Sequence, residues 1–231
     1  MNIGIIVAAG KGERTKLSYP KQFYQILGKS LLRIALEKYE YSELINKIVV
    51  VANEEFMEET KKECYNLNKV YGIIKGGESR QESVYNALKN IYNNFGFDVL
   101  FVSIHDAARP FVSIDKINEG IEIAKKYGSA ILALPEKNSV SHVVGDVIDK
   151  ILDRNEIFLH QTPQTFDFHK LYKAYTNFEN ELKSFTDDAS IFHKAGNFVR
   201  IISGEEYNVK ITTEFDLKFA KWLIKEGKIN A

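Results

Sequence analysis

The sequence predicts an α/β fold built around a largely parallel sheet. Two observations carry that expectation. Val- and Ile-rich runs alternate along the chain with segments of helical periodicity. A glycine-bearing loop follows the first of those runs, at the carboxyl edge where such sheets bind ligands. The size agrees, since 231 residues with 45% hydrophobic side chains are ample for a full core.

Each element can be justified in turn. Ile3 to Ala8 is the first strand, and Ser30 to Tyr41 is a helix with Leu32, Ala35, Leu36 and Tyr39 at 3.6-type spacing. Lys47 to Ala52 is a second buried strand, and Asn53 caps a helix running through Cys64. Tyr71 to Ile74 is a short strand entering Gly76-Gly77. Ser79 to Tyr92 is a helix with Val84, Ala87, Leu88 and Ile91 on one face. Val99 to Ile104 is a strand ending at His105-Asp106; Ser113 caps a helix through Tyr127; Ala130 to Leu134 is another strand.

From Glu136 to His160 the pattern changes. Gly145-Asp146 reads as a hairpin turn between Ser141–Val144 and Val147–Leu152. With little core of its own, residues 136–160 read as a projecting β-arm within a single domain spanning 1–231. Helices at 167–178 and 186–195, a strand at Phe198–Ile202 and a helix from Thr213 to Glu226 complete the chain. Trp222 on that last helix reads as core.

Composition narrows the function. Lys and Arg total 31 and Asp and Glu total 31, a formal net charge of zero. That balance lacks the electrostatic footprint of a dedicated nucleic-acid binder. No apolar run reaches the ~20 residues needed to span a bilayer, and Met1 to Val7 carries no basic n-region of a signal peptide. Cys64 is the single cysteine, so no intramolecular disulfide forms. The expectation is a cytoplasmic protein. Cys64 reads as packing or surface, and the histidines at 142, 160, 169 and 193 have no metal-ligand spacing on one element.

Ala8-Ala9-Gly10-Lys11-Gly12-Glu13-Arg14 is the loop after the first strand. Two glycines let backbone N–H groups approach a polyphosphate. The dinucleotide fingerprint fits poorly, because its third Gly falls at Thr15 and Pro20 interrupts soon after; the Walker spacing fails as well. What remains is a glycine loop with Arg14 and Lys21, two cations suited to a triphosphate whose leaving group is pyrophosphate. A tight turn with solvated charges is the alternative. Asp106, at the end of a buried strand, suits a Mg²⁺ held by one or two carboxylates and phosphate oxygens; a loop aspartate is the alternative there. Arg109 equally suits a structural ion pair.

These segments together resemble the cytidylyltransferases that act on methylerythritol phosphate and ribitol phosphate. The first loop is similar to the family's nucleotidyltransferase signature. Gly76-Gly77-Glu78-Ser79-Arg80-Gln81-Glu82-Ser83-Val84 is similar to its second nucleotide loop, and His105-Asp106-Ala107-Ala108-Arg109-Pro110 to its metal and substrate segment. Asp153-Arg154-Asn155 through Gln161-Thr162-Pro163-Gln164-Thr165-Phe166 resembles the end of its arm. Thr186-Asp187-Asp188-Ala189-Ser190 and Asn208-Val209-Lys210-Ile211-Thr212 follow in order, so the resemblance covers residues 5 to about 217.

The resemblance implies a Rossmann-like nucleotidyltransferase fold, a mixed, mostly parallel sheet flanked by helices. It implies that Arg14, Lys21, Asp106 and Lys210 are catalytic. Ala8, Ala9, Gly10, Gly12, Gly76, Gly77, Glu78 and Ser83 would bind nucleotide, with Ser83 also placed to cap a helix. Asp106, Arg109, Ser139, Arg154 and Thr162 would bind the sugar phosphate, and Asp106 the Mg²⁺. The partners implied are CTP, a polyol phosphate and a second subunit, the arm making a homodimer. The chemistry is self-consistent: a phosphate monoester has a second pKa near ~6, so the attacking oxygen is anionic and needs no general base. Positioning and charge shielding remain.

One departure bears on the acceptor. The family commonly reads Asp-Thr-Ile-Lys where this chain has Asn138-Ser139-Val140-Ser141, keeping a hydroxyl but losing a charge of each sign. Ala107-Ala108-Arg109 and Thr186–Ser190 look most like the methylerythritol phosphate branch. Ribitol 5-phosphate is the alternative acceptor. A nucleotide-binding sensor without turnover and a dinucleotide-dependent oxidoreductase are alternatives of other classes; pyrophosphate release separates the first, failure to bind NAD closes the second. Asp187-Asp188 reads mainly as structure, as first-turn acids behind a Thr186 cap.

Overall fold

The computed structural model describes residues 1–10, 19–26 and 28–229. The first half of the chain runs β1 (Asn2–Ala8), β2 (Gln25–Ile26), β3 (Lys29–Ser30), α1 (Leu31–Tyr41), β4 (Lys47–Ala52), α2 (Met57–Glu63), β5 (Val70–Lys75) and α3 (Arg80–Phe95). The second half runs β6 (Phe101–Asp106), α4 (Ile114–Tyr127), β7 (Ser129–Pro135), β8 (Val140–Val144), β9 (Val147–Leu152) and β10 (Phe158–Asp167). It ends with α5 (Phe168–Asn177), α6 (Asp188–Lys194), β11 (Ile201–Ser203) and α7 (Glu214–Lys225). Seven strands form one sheet in the order β11-β7-β10-β6-β1-β4-β5. Pairing is parallel throughout except at β10, which runs antiparallel to both β6 and β7.

Side-chain alternation explains the two layers of helices. Ile3 and Ile5 of β1 and Val49 and Val51 of β4 pack with Val84 and Leu88 of α3 and Phe168 of α5. Ile6, Ala8, Ile48 and Val50 face the other way, onto Leu32, Leu36 and Tyr39 of α1 and Ile117 and Ile121 of α4. Strands buried on both faces read as continuous apolar runs, which is why β1 and β4 are legible. Gly4 admits Tyr39: a Cβ there would lie 2.4 Å from the tyrosine ring.

Helix starts are set by side-chain caps, each worth ~1 kcal/mol. The Ser30 hydroxyl accepts the Arg33 N–H at the head of α1, and Ser79 with Glu82 forms a reciprocal capping box on α3. Asp187, rather than Thr186, caps α6, because its carboxylate reaches the Ser190 N–H. Ser83, expected as a cap, lies inside α3 after Ser79 has taken that role. No helix among the described residues is long and apolar enough to cross a membrane.

Several expectations shift. Strand β6 begins later than expected and carries His105 and Asp106 as its last residues, paired with Ile6 and Val7. The expected strand at Phe198–Ile202 shortens to β11. The arm contains the β8–β9 hairpin as expected, but its last residues, Phe158 to His160, pair with Pro135 to Ala133 as part of β10. Strand β10 was not expected: Gln161, Thr162, Gln164 and Thr165 are buried in it and Pro163 interrupts it. Polar residues and proline argue against a central strand, and the register does shift between His160 and Gln164. Trp222 is corrected from core to surface. It is 49% exposed and stacks on Phe219, while Leu217, Ala220 and Leu223 form the buried face of α7.

Candidate active site

Four parallel strands deliver their carboxyl ends to one edge. Ala8, Ala52, Lys75 and Asp106 end β1, β4, β5 and β6, and an open cavity of about 930 Å³ lies there. That volume suits a nucleotide-sized ligand. Ala8, Ala9, Gly10, Lys21, Gly76, Gly77, Glu78, Ser83, Asp106 and Lys210 all line it. These expected residues therefore converge from segments spread over the chain. Gly12 and Arg14 lie outside the described residues.

The two loops are locked by identifiable bonds. Buried Gln22 donates Nε2 to the carbonyls of Ala8 (2.8 Å) and Gly10 (3.1 Å), tying the 20–22 segment to the end of β1. Gly76 donates its N–H to Ala52 at 2.8 Å. A Cβ on Gly76 would fall 2.5 Å from the Ala9 Cβ, so glycine permits the two loops to touch. The Ser83 hydroxyl accepts the Gly77 N–H at 3.0 Å and donates to the Ser79 carbonyl at 2.9 Å. Its role is to shape the loop from within the helix.

Asp106 is the electrostatic centre. Arg80 Nε lies 2.9 Å from Oδ1 and Lys210 Nζ 2.6 Å from Oδ2. Burial works to raise the Asp106 carboxyl, but the charges of Arg80 and Lys210 and their hydrogen bonds outweigh it, holding it well below the usual carboxylate range. Lys210 is placed by its neighbours. Asn208 donates Nδ2 to the Thr162 carbonyl at 2.8 Å, and Ile211 donates its N–H to the Ala108 carbonyl at 2.8 Å. The 208–211 segment is thereby sewn along the Asp106–Arg109 turn, with Lys210 directed to the carboxylate.

Both Asp106 oxygens thus face cations already. Among the described residues no group of three His, Cys, Asp or Glu converges to hold an ion. Asp106 as found does not fit a direct metal ligand, and a divalent cation here would need phosphate oxygens as its main partners.

The remaining expected residues sit elsewhere. Arg109 Nη1 donates to the Asn208 carbonyl at 2.8 Å, a structural contact outside the cavity lining. Thr162 is buried at 5% exposure, and its hydroxyl bonds to the Asp106 N–H and the His105 ring. Ser139 and Arg154 are exposed near the arm, where Arg154 Nη1 donates to the Lys137 carbonyl at 3.1 Å. Neither lines this chain's own cavity. Cys64 is half-buried, and burial together with nearby Glu63 pushes its thiol up to about 12, so it is not a ready nucleophile.

Arg80 was not singled out from the sequence. Its signal was available: a cation at the first position of a helix opposes the helix dipole, so acids must hold it there. Gln22 had no comparable signal, since only the fold shows which carbonyls it reaches.

A glycine-cradled cavity with lysines and an arginine around one carboxylate, at the carboxyl edge of a mostly parallel sheet, defines a nucleotidyltransferase. Comparison with known proteins makes this specific. The family model for 2-C-methyl-D-erythritol 4-phosphate cytidylyltransferase matches residues 3–226, and the chain belongs to that family. A protein of that name from Petrotoga mobilis is 44% identical over 225 residues, covering 97% of this chain and 99% of that one. One from Clostridium acetobutylicum is 40% identical over 233 residues, covering 99% and 100%. The Francisella tularensis enzyme structure superposes with a TM-score of 0.80 at 35% identity, covering 96% of this chain and 98% of that chain. A 4-diphosphocytidyl-2C-methyl-D-erythritol synthase from Anaerococcus prevotii gives 0.86 at 25% identity, covering 97% and 96%.

Proposed function

We infer that this chain transfers CMP from CTP to 2-C-methyl-D-erythritol 4-phosphate, releasing pyrophosphate, as a step of isoprenoid precursor synthesis. The observation that carries this reading is the convergence of both glycine loops, Lys21, Asp106 and Lys210 on one cavity in a chain of this family. An acceptor phosphate oxygen forms the new bond to the α-phosphorus, the bond from that phosphorus to the β-phosphate oxygen breaks, and the electron pair leaves with pyrophosphate. The acceptor oxygen is already anionic, so the residues have no proton to remove.

Lys21 and Lys210 do the electrostatic work by offsetting charge that builds on the transferring phosphoryl group. Asp106 holds Lys210 at the cavity and faces the acceptor. The enzyme is proposed to require Mg²⁺ carried on the CTP phosphates rather than on Asp106; bound there, it would neutralise phosphate charge. A cytoplasmic location follows from the same reading.

The arm supports a homodimer. Val143, Val144, Val147, Ile148 and Ile151 of the β8–β9 hairpin are each at least 48% exposed, an apolar surface that an isolated hairpin cannot stabilise. A second copy would cover it and bring Ser139 and Arg154 to the partner's cavity. The deciding experiment is pyrophosphate release from CTP and Mg²⁺ with methylerythritol 4-phosphate or ribitol 5-phosphate. Turnover with the first alone is expected. Faster turnover with ribitol phosphate would move the enzyme to envelope polymer synthesis, and binding of CTP without release would make it a sensor.

A further inference from the structure

Arg80 begins α3, directly after the second nucleotide loop, yet its side chain reaches away from that loop to two acids. Nε lies 2.9 Å from Asp106 Oδ1 and Nη2 lies 2.8 Å from Asp188 Oδ2. Asp188 is fully buried, and its other oxygen accepts the Tyr175 hydroxyl at 2.5 Å. One guanidinium therefore ties together the start of α3, the end of β6 and the start of α6. The planar fork makes this possible; an ammonium is a point charge and reaches one carboxylate well, not two.

The charges divide into a fixed part and an exchangeable part. Lys210 occupies Asp106 Oδ2 at 2.6 Å and also lines the cavity with Lys21. If Lys210 turns to a phosphate of the substrate, Asp106 loses one of its two cations. Asp106 is only 6% exposed, so an uncompensated charge there is costly. Arg80 remains on Oδ1, anchored from behind by Asp188, and keeps Asp106 both charged and oriented.

We propose that Arg80 is a positioning residue for the transfer, holding Asp106 against the loss of Lys210 so that the lysine is free to exchange between carboxylate and phosphate. This rests on the proposed roles of Asp106 and Lys210. Without Arg80, Asp106 would hold Lys210 as its sole counter-ion and withdraw it from the phosphates.

The test uses full-length wild type, Arg80→Lys and Arg80→Met, with steady-state kinetics in CTP and methylerythritol 4-phosphate, calorimetric binding of CTP alone, and thermal melting. Arg80→Met should lower kcat on the order of 10- to 100-fold and raise KM for the acceptor, the scale for misplacing one catalytic group. The CTP dissociation constant should stay within about two-fold, since ground-state nucleotide contacts are untouched. Arg80→Lys should recover part of kcat. If Arg80→Met does not fold, Arg80→Lys decides: wild-type kcat and acceptor KM in it overturn the proposal. A lowered melting temperature with unchanged kinetics reduces Arg80 to a structural residue, and a loss confined to CTP binding makes it a direct nucleotide ligand; either overturns the proposal. Inactive wild type would instead count against the assigned reaction.

Discussion

The backbone N–H of Asp106 donates to the side-chain hydroxyl of Thr162 at 3.1 Å, joining residues 56 apart in sequence inside the protein. The proton positions around this bond are determined. His105 Nε2 faces the Arg109 carbonyl at 2.8 Å, which can only accept, so Nε2 carries the proton. Nδ1 is then the acceptor, and the Thr162 hydroxyl at 3.0 Å donates to it. Thr162 is thus engaged as donor and as acceptor, and the chain of bonds fixes the backbone that presents Asp106.

Thr162→Val removes both roles at nearly constant volume. It leaves the Asp106 N–H and His105 Nδ1 unpaired in the interior, at a cost of ~1–3 kcal/mol. Urea denaturation should show that loss, and Thr162→Ser should restore most of it. If Thr162→Val keeps full stability and only the acceptor KM rises, the hydroxyl serves the substrate instead.

His105 gives the protein a pH dependence with a defined sign. Burial lowers its pKa to about 4, against the opposing hydrogen bond to the Arg109 carbonyl and the charge of Asp106. Unfolded histidine titrates near ~6.5. Between these values the unfolded chain binds more protons, so stability rises with pH. The contribution is complete above pH ~6.5, is lost as pH falls, and levels off below about 4, with a span of about 3 kcal/mol. His160 acts with the opposite sign, because its hydrogen bond to Asp187 raises its pKa despite partial burial. Its stabilisation is present at low pH and fades as pH rises. Denaturation of wild type and His105→Gln between pH 4 and 7 isolates the buried histidine: the variant should have the shallower acid slope, and identical slopes would exclude His105 as its source.

Gly76 is predicted to be intolerant of a methyl group. The Cβ of Gly76→Ala would meet the Ala9 Cβ at 2.5 Å and the Ser83 Oγ at 3.0 Å. The two nucleotide loops must then separate, while the core beneath them is unaffected. KM for CTP should rise on the order of 10-fold with little change in melting temperature. Unchanged nucleotide kinetics would show that loop contact is unimportant for binding.

How much of this was legible follows from how far each residue's partners lie along the chain. Strands β1 and β4 announce themselves because both of their faces are buried and their residues are uniformly apolar. The glycine loops stand next to those strands, so their place at the sheet edge is a local inference. Strand β10 is hidden because its buried face carries Gln161, Thr162, Gln164 and Thr165, each satisfied by hydrogen bonds or contacts that only the fold creates. Arg80 lies 26 residues from one carboxylate partner and 108 from the other, beyond the reach of any periodicity. Trp222 shows the reverse error: size and apolarity suggested a core residue, but its angular position on α7 places it beside the buried stripe.

The arm makes the sharpest prediction about assembly. Arg154 is exposed and does not line its own chain's cavity, whereas Lys210 does. If each arm completes the partner's cavity, subunits carrying Arg154→Ala and Lys210→Ala can complement one another. In a mixed dimer, the cavity of the Arg154→Ala chain keeps Lys210 and receives an intact arm, while the other cavity combines both defects. Random reassociation of equal amounts should therefore restore about a quarter of wild-type activity, from one working site in each mixed dimer. Each parent alone should be severely impaired, with Lys210→Ala slower by on the order of 10²-fold or more, the scale for losing a donor to the transition state. If arms served their own cavities, every site in the mixed dimer would be defective and activity would stay at parental levels. Sedimentation of the two parents and the mixture must show dimers for the result to count, because the reading requires the exposed valines and isoleucines of β8 and β9 to be covered by a second copy.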